Sequence, residues 1–308
     1  MRFDRGLELS FPGRITSKIS SFLPRLGLSA LFLCLVSGVV LVFYYRPMGN
    51  VFQNVEEITT AVPYGWFFRQ VHYAAGQSFV ILMLLHTLDH FLRKRYRIYS
   101  LAEWLRLIFS LSLCFYTLFT GFVLKGDKEG FFAGRIFMNI LEKIPVAGGT
   151  IAKLFIVPGD SFFFLPYLYH CFFLPILIVY LIRKHIREWF PSQGFMFIGT
   201  IGLFLYALFI KPSMDIPPEA PVDIVKGPWF FLGIQTFLKV LPPLLAGLII
   251  PAVFVGCLII LPAMGNILGA LSLKESIVHA GENGLYYLLI ASICAYGFLT
   301  LKGAIWGP

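Results

Sequence analysis

The stretch Arg69–His90, RQVHYAAGQSFVILMLLHTLDH, constrains this chain more than any other. It is an apolar helical run with His72 and His86 fourteen residues apart and His90 one turn further on. Fourteen residues advance an α-helix by roughly 21 Å and return it to within about 40° of its starting face. Two imidazoles therefore share one stripe, separated by most of a hydrocarbon layer about 30 Å thick. Downstream, HCFFLPILIVYLIRKH repeats the pattern with His170 and His185, fifteen residues apart.

A lone histidine in an apolar helix is ordinarily a buried hydrogen-bonded group or a helix end. Here four of the six histidines fall into two near-equal pairs on two helices. Ionisable side chains inside membrane spans are costly enough to point to function. Two helices with an imidazole near either face can hold two haems one above the other, each iron taking one axial imidazole from each helix. The predicted metal ligands are His72 with His170 and His86 with His185.

Composition agrees with a membrane setting. Of 308 residues, 58% are hydrophobic and 13% charged, and the mean hydropathy is +0.79. Several spanning segments explain such values, and a soluble domain of this length does not. The net charge is +9, but the basic residues cluster between apolar runs, which reads as topology and not as a nucleic-acid face. Cys34, Cys114, Cys171, Cys257 and Cys294 all lie in apolar segments without CxxC or CxxCH spacing. Disulfides, zinc sites and ordinary covalent haem attachment are therefore not expected. Arg2, Arg5, Arg14, Lys18 and Arg25 are interspersed with apolar residues, so an interfacial amphipathic helix followed by a retained span is expected.

The sequence predicts an all-α membrane protein with about seven transmembrane helices, the first four forming the histidine-bearing bundle. The spans fall near 27–45, 66–92, 101–124, 162–182, 194–210, 244–261 and 285–301. Residues 1–190 are expected to form the four-helix domain and 191–308 a three-helix domain. Five basic residues precede the first span, five lie between Arg93 and Arg106, and Arg183, Lys184 and Arg187 follow the fourth. That bias near the early helices predicts a cytoplasmic N-terminus in a bacterial-type inner membrane. His72 and His170 then lie near the opposite, positive face. Two long loops on that face, 125–161 and 211–243, combine prolines with apolar aromatics and predict ordered surface helices around a binding site. His90 reads as a helix-end group near a quinone head, and His279 is expected in a loop.

The motifs resemble cytochrome b of the Rieske/cytochrome b complexes over about Leu28–Leu261. GWFFRQVH at Gly65–His72 is similar to the family's G-W-x-x-R-x-x-H, and His170 with Pro175 resembles its H-x4-P. FYYRP at Phe43–Pro47 and the His170–His185 spacing resemble the photosynthetic-type members. IPVAG at Ile144–Gly148 resembles the helical loop between the third and fourth spans. The resemblance implies two b-type haems on the four histidines, with Arg69 supporting a haem propionate. Gly76 and Gly121 would leave room for a flat macrocycle or a neighbouring helix.

PWFF at Pro228–Phe231 takes the place of the quinol-site Pro-Glu-Trp-Tyr motif. Pro228 stands where the family carries the Glu that accepts a quinol proton, and proline has no titratable group. GFVLKGD at Gly121–Asp127 lacks the Pro-Trp pair of photosynthetic-type relatives. Ala30, not Cys34, falls at the position of their covalent extra haem, so Cys34 reads as a buried small hydrophobe.

The function this implies is that of the di-haem subunit of a membrane quinol:cytochrome c-type oxidoreductase. It would work with quinone (menaquinone or ubiquinone), a Rieske iron–sulfur or c-type, even multihaem, cytochrome partner, membrane lipid and a second copy in a homodimer. Trp229, Asp223 and Asp127 are the predicted quinol-site residues, with Glu219, Asp215 and Glu129 as further carboxylates. The absent Glu keeps a second reading open, a non-bifurcating electron conduit or quinone reductase. A third is a haem-free membrane scaffold or transporter.

Overall fold

The computed structural model describes residues 11–209, 216–221, 225–264, 267 and 275–307. It is 79% helical, with no strand among the described residues. The chain runs α1 (Phe11–Val42), α2 (Val51–Thr60), α3 (Gly65–Leu92), α4 (Leu101–Val123), α5 (Lys128–Glu142) and α6 (Gly148–Phe155). It continues as α7 (Phe164–Trp189), α8 (Gln193–Phe209), α9 (Leu232–Leu238), α10 (Leu245–Ala263) and α11 (Glu275–Trp306).

Among the described residues, six helices are long and apolar enough to cross a membrane: Ser21–Val42 within α1, then α3, α4, α7, α10, and Ser276–Trp306 within α11. The remaining predicted span, α8, has 17 residues, at the short end of the spanning range of about 17–25. The chain is thus an integral, multi-pass, all-α membrane protein. Two boundaries differ from expectation. No break separates an interfacial helix from the first span: α1 is continuous from Phe11, with Pro24 inside it. α11 begins ten residues before the expected 285, which places His279 on a helix and not in a loop.

The reason for that early start lies in the α3–α4 connection. Glu-Asn-Gly at 282–284 reads as a loop in isolation. In the fold Arg97 donates to Glu282 at 2.6 Å, Lys94 to Asn283 at 3.2 Å, and the Tyr286 hydroxyl to the Leu92 carbonyl at 3.2 Å. Its hydrogen bond to Glu282 also holds the Arg97 guanidinium above its usual pKa. Beneath these contacts, fully buried Trp104 donates to the Leu258 carbonyl at 2.7 Å. Tyr96, Trp104, Leu261, Tyr286 and Leu289 form the apolar core that joins α10 and α11 to α3 and α4.

The functional core is a closed four-helix bundle. α1 packs along α3, α4 packs on both α3 and α7, and α1 also touches α7. Ala30, Ala74 and Ala75 are fully buried, and such small residues let α1 and α3 approach closely. α8 leans on the outside of α1 and α3, where the Ser29 hydroxyl meets the Met196 sulfur at 3.3 Å. α4 starts on a reciprocal cap: Ser100 Oγ accepts from the Glu103 N–H and Glu103 accepts from the Ser100 N–H.

The unequal histidine spacings are reconciled inside α7. Tyr169–Phe173 forms a π-helical turn in which the Leu174 N–H reaches back to the Tyr169 carbonyl. Pro175 follows; it has no N–H, and its ring crowds the carbonyl four residues earlier. A widened turn relieves both problems and takes up one extra residue. Fifteen residues in α7 therefore rotate the chain as fourteen do in α3; without the turn, His185 would lie about 100° away from that alignment. A second π-helical turn, Leu245–Ile249, precedes Pro251 in the same way.

Candidate functional site

The bundle brings the four histidines together as two facing pairs. The ring centres of His72 and His170 lie 5.9 Å apart and those of His86 and His185 5.6 Å apart. A metal–imidazole bond is about 2.0–2.1 Å long, so two imidazoles sharing one metal have centres about 6 Å apart. At the first pair the outer ring nitrogens are held from behind. His72 Nδ1 lies 2.9 Å from the Cys34 carbonyl, and His170 Nδ1 lies 2.9 Å from the Thr117 carbonyl. An acceptor on Nδ1 fixes the tautomer and turns Nε2 toward a metal.

Two glycines give these rings their space. A Cβ on Gly38 of α1 would lie 2.9 Å from His72 Cε1, and one on Gly121 of α4 would lie 2.6 Å from His170 Cε1. Gly121 thus lies directly against the His170 ring of α7. Gly76 faces α1 instead, where a Cβ would make ordinary contact with Cys34 Sγ at 3.5 Å. Cys34 is half-buried, not fully buried, and touches His72 Nδ1 at 3.7 Å. Sequence reasoning missed Gly38; its signal was the small pair Ser37-Gly38 inside an otherwise bulky span.

Arg69 lies one turn before His72 on α3. Its Nη1 donates to Thr59 Oγ1 at 3.1 Å, and its Nη2 is buried with no hydrogen-bond partner. A buried guanidinium nitrogen left open beside a ligand pair fits an anionic group. At the second pair His86 Nδ1 is also buried without a partner. His90 packs on His86 at 4.3 Å and shares a 2.7 Å hydrogen bond with the Tyr99 hydroxyl. Trp189 stacks on His185 at 6.1 Å. Paired imidazoles, cradling glycines and an open cation together fit two bis-histidine haems.

The loop residues gather at the end of the bundle that holds the first pair. The Lys128 N–H donates to the Ile216 carbonyl at 3.0 Å, so the two long loops face each other as expected. Glu219 lines a cavity of about 340 Å³ with Asn50, Gly126, Phe131 and Phe163. Trp229 reaches α3, donating to Gln77 Oε1 at 2.8 Å, and packs on Phe115 of α4. Gln235 braces this segment from behind, accepting from the Gly227 N–H and donating to the Val225 carbonyl, both at 2.8 Å. Asp127 is fully buried; it caps α5 at the Gly130 N–H, 2.9 Å away, and pairs with Lys125 at 2.7 Å. Glu129 pairs with the same lysine at 3.3 Å. Asp215 and Asp223 lie outside the described residues. Nearby, burial holds the Tyr45 phenol well above its usual pKa, and its hydroxyl donates to the Leu124 carbonyl at 3.0 Å.

Paired imidazoles in an apolar bundle fit a membrane protein of the cytochrome class. Residues 14–188 match the family model described as cytochrome b/b6/petB, and the chain belongs to that family. Cytochrome b6 of Gracilaria tenuistipitata var. liui is 31% identical over 153 residues, covering 48% of this chain and 71% of that protein. Cytochrome b of Eptatretus burgeri is 24% identical over an alignment of 334 positions, covering 97% of this chain and 84% of the other. A solved structure described as a hyperthermophilic respiratory Complex III has a TM-score of 0.60, with 16% identity over 96% of this chain and 91% of that one. At that identity the likeness is one of fold.

Proposed function

We propose that this chain is the di-haem cytochrome b subunit of a membrane quinol:cytochrome c-type oxidoreductase. The observation that carries the reading is the pair of facing imidazoles at each of two depths in one bundle. Two b-type haems bound there would supply one-electron carriers near both membrane faces. His72 and His170 hold the first and His86 and His185 the second. Gly38 and Gly121 keep the first pair open, with Gly76 letting α1 approach α3, and Arg69 meets a propionate. Residues 1–190 form the haem-holding domain, and 191–308 carry the PWFF segment that faces quinol. With the N-terminus cytoplasmic in a bacterial-type inner membrane, the first pair lies near the positive face. The acceptor there is a Rieske-type or c-type cytochrome subunit, the mobile carrier is menaquinone or ubiquinone, and a homodimer in lipid is the working unit. Quantifying haem in the purified chain tests this directly: two b-type haems are expected, and none would leave only a scaffold role.

Arg69→Ala is expected to lower the midpoint of the first-pair haem by about 59 mV, a tenfold change in its reduced-to-oxidised ratio at fixed poise. Arg93→Ala is expected to leave the second nearly unchanged, because Arg93 is already paired with Asp89 at 2.7 Å. A redox titration of both variants checks this, and equal shifts would contradict it.

Quinol oxidation must release two protons at an apolar site, and Pro228 cannot take one. In sequence the nearest carboxylates are Asp223, Glu219 and Asp215, and Asp127 belongs to the other long loop. Asp127 already serves a cap and an ion pair, so its replacement is expected to loosen α5 as well. Glu219→Gln or Asp223→Asn is expected to slow quinol-dependent haem reduction and to alter its pH profile. Parental rates in both, with Asp127→Asn equally silent, would favour the conduit reading, in which quinone chemistry occurs only at the second-pair face.

A further inference from the structure

Each first-pair histidine is aimed by a backbone carbonyl, whereas the rings around His185 are aromatic: His86 faces it at 5.6 Å and Trp189 stacks on it at 6.1 Å, 28° from parallel. Trp189 is itself backed by α1, where the Arg25 guanidinium carbon lies 5.7 Å from its ring centre. The Arg25 carbonyl accepts the Ser29 hydroxyl at 3.0 Å, and the same hydroxyl meets Met196 of α8. Phe22 packs edge-on against Phe195 at 4.9 Å on the same side. The Trp189 indole thus meets both the Arg25 guanidinium of α1 and the His185 imidazole of its own helix, with α8 packed on the same stretch of α1.

We infer that Trp189, held by Arg25, is the positioning residue for the axial imidazole of His185, and that the stack raises the potential of the second-pair haem. This rests on the di-haem reading above. An indole face against the imidazole limits rotation about its side-chain bonds, doing for His185 what a carbonyl acceptor does for His72 and His170. A guanidinium over an indole is held by the ring's negative face. Its charge, lying along the stack, favours the reduced and less positive iron. Arg25 is exposed, so salt screens that contribution and the orientation of the ring carries the larger share.

The test is a redox titration of the purified full chain with both haems resolved, together with the low-temperature α-band and the electron paramagnetic resonance signal of each. In Trp189→Leu the reduced-to-oxidised ratio of the second-pair haem at fixed poise is expected to fall about tenfold, a shift of about 59 mV. Its resonance signal should move as the imidazole plane turns, while the first-pair haem keeps both values. Arg25→Gln is expected to give the same direction at about threefold, and Trp189→Phe to restore most of the parental ratio. Should Trp189→Leu fail to retain its second haem, Arg25→Gln decides. An unchanged second-pair signal in Arg25→Gln overturns the proposal, as do equal shifts at both haems. A parent lacking two b-type components overturns the di-haem reading itself, which keeps the two failures apart.

Discussion

Replacing His72 or His170 with alanine is expected to remove the first-pair haem, and replacing His86 or His185 the second, so that each purified variant carries one b-type haem. Bis-imidazole ligation needs one ring from α3 and one from α7, and the 5.9 and 5.6 Å ring separations assign the partners. The α-band that survives should be identical in His72→Ala and His170→Ala, and different from the one shared by His86→Ala and His185→Ala. Haem quantification with low-temperature spectra checks both statements. Two haems retained in any of the four variants would break the pairing. His90 sits 4.3 Å from His86, so the double variant His86→Ala/His90→Ala is the control for substitution by a neighbouring imidazole.

Gly121→Val should have nearly the effect of losing a ligand, although it touches no proton and no metal. A Cβ alone would stand 2.6 Å from His170 Cε1, and valine adds two methyls on a stiff side chain. The His170 ring cannot retreat without giving up its bond to the Thr117 carbonyl. Haem content is expected to fall from two to one per chain, with the first-pair signal missing. Gly121→Ala should fall between, and Gly38→Val should act on His72 in the same sense, since its clash at 2.9 Å is milder. Gly149→Val, where a Cβ meets nothing within 4 Å, is the variant expected to change nothing.

The histidines were legible because a titratable ring in an apolar run is expensive, and two such runs with matching separations leave few explanations. Arg69 was singled out by the G-W-x-x-R-x-x-H resemblance and its place one turn before His72, and the two loops because prolines among aromatics cannot continue a span. Gly38 was not, since what makes it matter is the closeness of α1 to α3, a fact of packing. Asp127 was expected at the quinol site; its place as the cap of α5 and partner of Lys125 emerges only once α5 is seen to begin at Lys128. The early start of α11 was hidden because Glu282 and Asn283 are stabilised by residues nearly two hundred positions away.

The wide turn at Tyr169–Phe173 also bears on what the gene can tolerate. In a uniform helix, losing one codon swings everything beyond it by about 100°. A helix that stores one surplus residue as a bulge can surrender it there and keep His185 on its face once Pro175, whose ring a regular helix would crowd, is replaced as well. Chains with fourteen or fifteen residues between these histidines are therefore close in sequence space, one in-frame deletion and one proline substitution apart. The same deletion in α3, which stores no such slack, would turn His86 away from its partner.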